Sequence, residues 1–291
     1  MFAKLGNSIS NGWALGNEAF ALMKQHPKLL VFPLMSGLAF ITLVGLILAG
    51  AFYNPAVLGF GKTMDWTTAL ALSFGMYLLL AFIATFFNTA LCGTVLSRHM
   101  TGEVSLRHGF AAAIRRLPQI LAWSIFAATI GVILAQLTRI LEEYLSWFGT
   151  ILGALLQTGW AATIYFVAPV LAVEGVGPIT ALKRSGSLLR ARWGETAGAE
   201  FSTTWALWPL HLFGLIVIAA LFATGFFSRG ATVTTPVLVL GGLFMLYLLT
   251  SITLHSIMSG ILKSHLYLYA KTGTVPRGGD PAVYARAFGK S

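Results

Sequence analysis

The chain has 291 residues, of which 57% are hydrophobic and only 10% are charged, and its net charge is +10. A water-soluble domain needs more polar surface than this composition provides, so a soluble fold is excluded. Six apolar stretches without any Lys, Arg, Asp or Glu follow one another along the chain. They cover residues 29–52, 68–91, 120–137, 149–173, 205–227 and 237–262.

Each stretch is close to the roughly 20 residues that an α-helix needs to cross the hydrocarbon core of a bilayer. Helices satisfy their own backbone hydrogen bonds in lipid, whereas membrane β-strands would appear as alternating segments of about ten residues. We therefore predict an all-α membrane protein with six transmembrane helices.

The basic residues are distributed unevenly between the predicted spans. Sixteen of the 19 lie in the N-terminal segment, in the links after the second and fourth spans, and in the C-terminal tail. Only Lys62, Arg139 and Arg229 remain for the other side of the membrane. Because cytoplasmic loops are enriched in Lys and Arg, this pattern predicts a multi-pass protein with both termini in the cytoplasm. It explains the positive charge without a nucleic-acid partner and predicts anionic lipid headgroups as partners.

A basic amphipathic segment precedes each pair of spans, at about residues 2–25, 106–117 and 179–193. Apolar residues recur there at helical spacing, and Lys or Arg occupies the opposite face, as in helices that lie in the membrane surface. The predicted fold is therefore three transmembrane hairpins, each preceded by a cytoplasmic interfacial amphipathic helix. The three segments suggest a threefold internal repeat, although any cytoplasmic segment before a span tends to have this character.

The sequence contains no sign of a separate soluble domain or of a catalytic centre. Residues 1–271 are predicted to form one membrane domain that begins with the interfacial helix, and residues 272–291 a flexible cytoplasmic tail. Cys92 is the only cysteine, which excludes an intrachain disulfide and a thiolate metal site. The histidines lack metal-ligand spacing, and no nucleophile or phosphate-binding motif is present. We expect no metal, no cofactor and no enzymatic activity.

Asn88, His211 and His255 are polar side chains inside predicted spans, where burial in lipid is costly. His211 and His255 each lie about seven residues from the cytoplasmic end of a span, which is about 10 Å deep. Asn88 lies at a shallower level. We predict that these three line a polar cavity or a proton path in the cytoplasmic half. The alternative is that each makes one interhelical hydrogen bond.

The end of the fourth span carries a dense group of turn-forming and charged residues. They are Glu174, Gly175, Gly177, Pro178, Lys183 and Arg184. The two glycines permit a sharp turn, and the proline suits the first turn of the next helix. The carboxylate can pair with either of the two basic residues. We predict a structural turn and ion pair here, rather than a catalytic or ion-binding site.

Gly149 and Gly153 form a small-x-x-x-small pattern at the start of the fourth span. Such a pattern allows the backbones of two helices to approach closely. The contact lies either within the fold or between subunits, and the second case would make the protein a homo-oligomer.

Residues 169–185 read Pro-Val-Leu-Ala-Val-Glu-Gly-Val-Gly-Pro-Ile-Thr-Ala-Leu-Lys-Arg-Ser. This string, with His26-Pro27 and residues 115–118 (Arg-Arg-Leu-Pro), resembles a family of uncharacterised bacterial six-helix inner-membrane proteins, over most of the chain. Residues 169–193 are distantly similar to the membrane domain of some bacterial glycerophosphodiester phosphodiesterases. The chain has no phosphodiesterase domain, so that activity is not implied.

These features predict a non-enzymatic integral protein of the bacterial inner membrane. Its expected role is membrane organisation, lipid interaction or assembly with a protein partner that the sequence does not identify. The alternative is a small transporter or channel that uses the predicted polar cavity.

Overall fold

The computed structural model describes residues 2–53, 66–191, 196, 200, 204, 207–223, 235–277, 279–282 and 284. In this part of the chain the regular structure is helical, which confirms the all-α prediction. A short 3-10 turn, Pro27–Leu30, follows the first helix. The α-helices are α1 (Phe2–Gln25), α2 (Val31–Tyr53), α3 (Trp66–Thr101), α4 (Leu106–Arg115), α5 (Leu117–Thr163), α6 (Val167–Glu174), α7 (Pro178–Ala191), α8 (Trp208–Ala223) and α9 (Thr235–Thr272).

Four of the described helical stretches are long and apolar enough to cross a membrane. They are Pro27–Ile47, Trp66–Thr101, Leu117–Glu174 and Thr235–Thr272. The apolar helix α8 is shorter, with 16 residues. The predicted links at 54–66 and 228–236 lie almost entirely outside the described residues, as do the ends of the predicted span 205–227.

The long helices expose more large apolar side chains than the surface of a water-soluble protein does. Leu38, Leu46, Ile133 and Leu246 are each more than half exposed, as are many others of the same kind. Exposed apolar surface on this scale marks a surface that lipid or another protein covers. This exposed apolar surface and the lengths of the helices together indicate a membrane protein.

The chain divides into two compact units. The first comprises Met1–Leu30, Trp193–Leu262 and Gly278–Ser291, and the second comprises Val31–Arg192 and Lys263–Arg277. The second unit contains helices α2 to α7 and the last ten residues of α9.

Helix α5 reverses direction at Ser146. Its 47 residues would extend about 70 Å if they were straight, against a hydrocarbon core of about 30 Å. Ser146 has φ 50° and ψ −129°, a conformation that residues with a Cβ rarely adopt. The two segments lie side by side: the rings of Trp123 and Trp160 stack with centroids 6.3 Å apart, and Gly153 packs against Thr138.

Helix α3 is the centre of the second unit, because α2, α4, α5 and α6 all pack against it. The approach of α4 is close at Gly109, where a Cβ atom would collide with the carbonyl of Ala90 and the side chain of Thr94. The rings of Phe32 and Phe110 add an aromatic contact between α2 and α4, with centroids 5.1 Å apart. The amphipathic helix α4 is therefore held firmly along the end of α3.

Candidate functional site

A break in the helical chain places the charged residues at the end of the fourth predicted span. Helix α5 ends at Thr163 and α6 begins at Val167, two residues before Pro169. Since Pro169 lacks an N–H group, it fits the first turn of a new helix and not the interior of a continuous one. The hydroxyl of Ser185 spans the break: it donates to the carbonyl of Thr163 at 2.6 Å and accepts from the N–H of Phe166 at 2.9 Å.

Helix α6 ends in a left-handed turn that an arginine encloses. Gly175 has φ 59°, a conformation in which a side chain would be strained, and a Cβ there would collide with the guanidinium of Arg116. Arg116 donates to the carbonyl of Val173 at 3.2 Å. Gly177 has an ordinary φ and open space around it, whereas Pro178 is the first residue of α7.

Glu174 is the centre of a cluster of polar side chains from three helices. Its side chain is only 10% exposed. Of the two predicted partners, Arg184 forms the ion pair, with its Nε 2.9 Å from Oε2 of Glu174. Lys183 is exposed and forms no ion pair with Glu174. The Tyr267 hydroxyl donates to Oε1 at 2.8 Å, and Lys271 Nζ lies 3.3 Å from the same oxygen. We call Glu174, Arg184, Tyr267 and Lys271 the Glu174 cluster.

The cluster holds α7 in a fixed orientation. Ala181, Ser185 and Leu189 lie on one face of this helix and are buried, since α7 packs on α5 and α6. The opposite face exposes Lys183 and Arg190. The short basic helix α7 thus packs on α5 and α6 along one face, and the cations on its opposite face point away from the protein.

Helix α4 has the same organisation. Gly109 and Ala113 are buried against α3, and Arg107 and Arg115 are exposed. Ile114 is 60% exposed beside Arg115. An exposed apolar side chain next to exposed cations is the pattern of a helix that lies in the headgroup region of a bilayer.

The predicted polar-cavity residues have separate partners. His211 Nδ1 lies 3.2 Å from the Tyr247 hydroxyl, in the first unit. His255 belongs to the same unit, and its Nε2 lies 3.9 Å from Oε2 of Glu200. A small groove of about 180 Å³ is lined by His211 and by four further residues that do not include His255. Asn88 belongs to the second unit and donates to the carbonyl of Ala84 in its own helix at 2.9 Å.

Glu200 also accepts a hydrogen bond from Ser259 at 2.6 Å. His255 and Ser259 are four residues apart on α9, so both reach the same carboxylate from one face. Glu200, His255 and Ser259 thus form a polar cluster in the first unit.

The predicted packing glycines lie within the turn of α5. A Cβ on Gly149 would collide with the backbone of Leu141, and one on Gly153 would press on Thr138. Both glycines are buried, as is Cys92 in α3. The close contact that these glycines allow is therefore between two segments of the same chain.

The part of the predicted tail that the structure describes has defined partners. In the first unit, Oε1 of Glu18 accepts the N–H of Asp280 at 2.8 Å, and Tyr284 is fully buried. Burial raises the pKa of Glu18 and that of Tyr284, and the Glu18 carboxylate raises the latter further. The flexibility predicted for residues 272–291 remains a prediction.

Several of the polar residues at these sites were not among those singled out from the sequence. They are Arg116, Ser185, Glu200, Tyr247, Ser259, Tyr267 and Lys271. Apart from the contact between Lys271 and Tyr267, their partners are 19 to 97 residues away along the chain, so no local pattern connects them. The available signal was helical spacing: Tyr267 and Lys271 are four residues apart and lie on one face of α9.

Among the described residues, no group of three or more His, Cys, Asp or Glu side chains is arranged to hold a metal ion. In the comparison with protein families, residues 67–279 match a model described as a family of unknown function (DUF6159). The match includes the Glu174 cluster and helices α4 and α7. No curated protein matches the chain.

Proposed function

We propose that this chain, which belongs to the DUF6159 family of unknown function, is a non-enzymatic integral protein of the bacterial inner membrane that binds and organises anionic lipid. In this proposal six spans form three hairpins, both termini are cytoplasmic, and helices α4 and α7 lie in the cytoplasmic leaflet. The distant resemblance proposed from the sequence between residues 169–193 and the membrane domain of some phosphodiesterases would fit this placement and carries no activity.

The observation that carries the proposal is the fixed orientation of α7. Its buried face packs on α5 and α6, and Arg184 is tied to Glu174, so Lys183 and Arg190 project outward. Each basic side chain near an anionic membrane surface contributes about 1 kcal/mol to attraction, within a screening length of about 10 Å. A helix that cannot rotate keeps these charges at one depth, which favours headgroup binding over nonspecific attraction.

The reversal of α5 supports the proposed hairpin of the third and fourth spans. Ser146 lies between Glu143 and Trp147, and the residues around it are exposed. A turn with exposed carboxylates and an exposed tryptophan suits the membrane surface opposite to the basic helices.

The test is lipid retention by a variant with the exposed cations removed. The variant is R107Q/R115Q/K183Q/R190Q, and the matched control is R139Q, an exposed arginine on α5 near the proposed outer turn. We expect the wild type and R139Q to retain phosphatidylglycerol in preference to phosphatidylcholine in native mass spectrometry after detergent extraction. The fourfold variant should lose most of that preference, and equal retention by all three proteins would refute the proposal.

A second candidate function is proton-coupled transport, and the cluster of Glu200, His255 and Ser259 favours it. Ionisable side chains within apolar membrane helices often belong to proton or substrate pathways. In proteoliposomes with an internal pH dye, this function predicts a proton flux that falls in E200Q and in H211A/H255A. A flux no greater than that of empty liposomes would contradict transport and leave the lipid-binding proposal untouched.

A further inference from the structure

Two arginines of the second unit lie together at the end of α3. Arg98, in the last turn of α3, donates from Nη1 to the backbone carbonyl of Arg277 at 2.7 Å. The guanidinium of Arg277 packs against Gly102, where its Nη1 lies 2.7 Å from the position that a Cβ would occupy. Gly102 has φ 85° and donates its N–H to the carbonyl of Arg98. The two guanidinium groups therefore flank the same helix end.

This pair has no carboxylate partner among the described residues. The ion pairs among the described residues involve Glu174 and Glu200, and neither Arg98 nor Arg277 takes part in them. The acidic residues closest along the chain are Asp280, three residues after Arg277, and Glu103, five residues after Arg98. Asp280 Oδ1 accepts the N–H of Ala282, and Glu103 is exposed and interacts with Thr101 through its backbone. The like charges of Arg98 and Arg277 repel each other.

Two imidazoles lie beside this site. His99 follows Arg98 on α3, and His265 on α9 lies close enough to interact electrostatically with both. The partial negative charge at the C-terminus of α3 offsets part of the repulsion. It cannot neutralise two guanidinium groups, so the described residues of this site carry excess positive charge.

We propose that Arg98 and Arg277 bind the phosphate group of one anionic phospholipid. A guanidinium fork matches phosphate oxygens, and pairs of basic side chains between membrane helices on the cytoplasmic side bind phosphorylated headgroups. Inorganic phosphate has the same chemistry. The lipid is favoured because the site lies at the end of an apolar 36-residue helix and because the adjacent Met100 is 84% exposed. This inference rests on the proposed lipid-binding function and adds one defined site to it.

The site does not depend on the basic surfaces of α4 and α7, so the two can be separated experimentally. R277Q removes one guanidinium but keeps the backbone carbonyl that Arg98 binds, so the fold at the end of α3 is retained. R277K keeps the charge and removes the fork. R139Q is the control for the loss of one positive charge elsewhere.

The experiment is titration of the purified, delipidated full chain with phosphatidylglycerol, followed by native mass spectrometry, with unfolding temperature as the check of folding. We expect one tightly bound lipid in the wild type and in R139Q. The first binding step should weaken about tenfold in R277Q, the ratio typical of a lost charge-assisted hydrogen bond, and less in R277K. A parallel titration with inorganic phosphate alone identifies the source of the anion. If phosphate raises the unfolding temperature of the wild type but not that of R277Q, the site is assigned to free phosphate and the lipid assignment is overturned.

The fourfold variant of α4 and α7 separates this inference from the proposed function. The Arg98–Arg277 site is supported if R277Q loses one tightly bound lipid and the fourfold variant retains it. This result would hold even if the proposed function were refuted. Unchanged lipid binding in a folded R277Q protein overturns the inference, even if the fourfold variant loses its lipid preference.

Discussion

The hydroxyl of Tyr267 donates a hydrogen bond to Oε1 of Glu174 at 2.8 Å and thereby joins α9 to the end of α6. Lys271, one turn further along α9, reaches both the same carboxylate oxygen and the Tyr267 hydroxyl, at 3.3 Å and 3.1 Å. Arg184 occupies the other oxygen. A single carboxylate therefore connects α6, α7 and α9, and the orientation of the basic helix α7 depends on it.

Replacement of Glu174 by glutamine should lower the stability of the protein by about 1 to 2 kcal/mol, because two cations lose their counter-charge. The magnitude stays modest, since Arg184 and Lys271 are about half exposed and water screens them. Thermal unfolding in detergent measures the effect. R184Q alone should cost less, and E174Q/R184Q should be no less stable than E174Q. A melting temperature of E174Q equal to that of the wild type would contradict the role given to this cluster.

The hydroxyl of Ser185 should matter more than that of a neighbouring serine. S185A leaves the carbonyl of Thr163 and the N–H of Phe166 without their shared partner at a buried break, at a cost of about 1 to 3 kcal/mol. S187A is the matched control, because Ser187 is exposed and bonds only to the carbonyl of Arg184. Equal melting temperatures for the two variants would mean that Ser185 does not support the break.

Two glycines of α5 should respond in opposite directions to the same substitution. G149A introduces a methyl group against the backbone of Leu141 and should destabilise the turn. G159A meets nothing within 4 Å and should stabilise the helix by up to about 1 kcal/mol, the propensity difference between the two residues. Thermal unfolding of both variants checks this, and a harmless G149A would contradict the antiparallel arrangement around Ser146.

The contact between Glu18 and Asp280 should depend on pH. Burial raises the pKa of Glu18 above its ordinary value of 4.5, the N–H of Asp280 opposes this shift, and the Asp280 carboxylate adds to it. With a raised pKa, the folded state binds the proton more tightly than the unfolded state does. The contribution of Glu18 to stability is therefore full below about pH 4.5 and falls as the pH rises through the raised pKa.

E18Q resembles the protonated side chain and still accepts the hydrogen bond from Asp280. Its melting temperature relative to the wild type should therefore increase between pH 4 and pH 8. D280N, which removes the neighbouring charge but not the backbone donor, should change in the same direction by less. A difference that is constant with pH, or that grows toward acid, would contradict the assignment.

The sequence predicted helices and their locations well, because lipid solubility and amphipathic spacing are local properties of the chain. The stretches around α1, α4 and α7 were predicted within a few residues for this reason. Arg184 was a candidate partner for Glu174 because it lies in the next helix. Tyr267 and Lys271 were not, since 93 and 97 residues separate them from Glu174 and only the folded chain brings them together.

The position of the turn within α5 also could not be predicted from the local sequence. Residues 139–148 include no glycine or proline to mark a turn at Ser146, and helical residues continue on both sides of it. The turn is set by the packing of two apolar segments, and Gly149 and Gly153 allow their close approach. A break between spans 120–137 and 149–173 was predicted from charge, whereas the residue that makes the turn was not.

The most direct test of the central claim is the accessibility of two introduced cysteines to a membrane-impermeant thiol reagent in intact cells. Both E143C, near the turn of α5, and S187C, on α7, replace exposed side chains, and the native Cys92 is buried. If the basic helices lie on the cytoplasmic side, E143C is labelled in intact cells and S187C only after the cells are permeabilised. Labelling of S187C from outside, or protection of E143C until permeabilisation, would contradict the account.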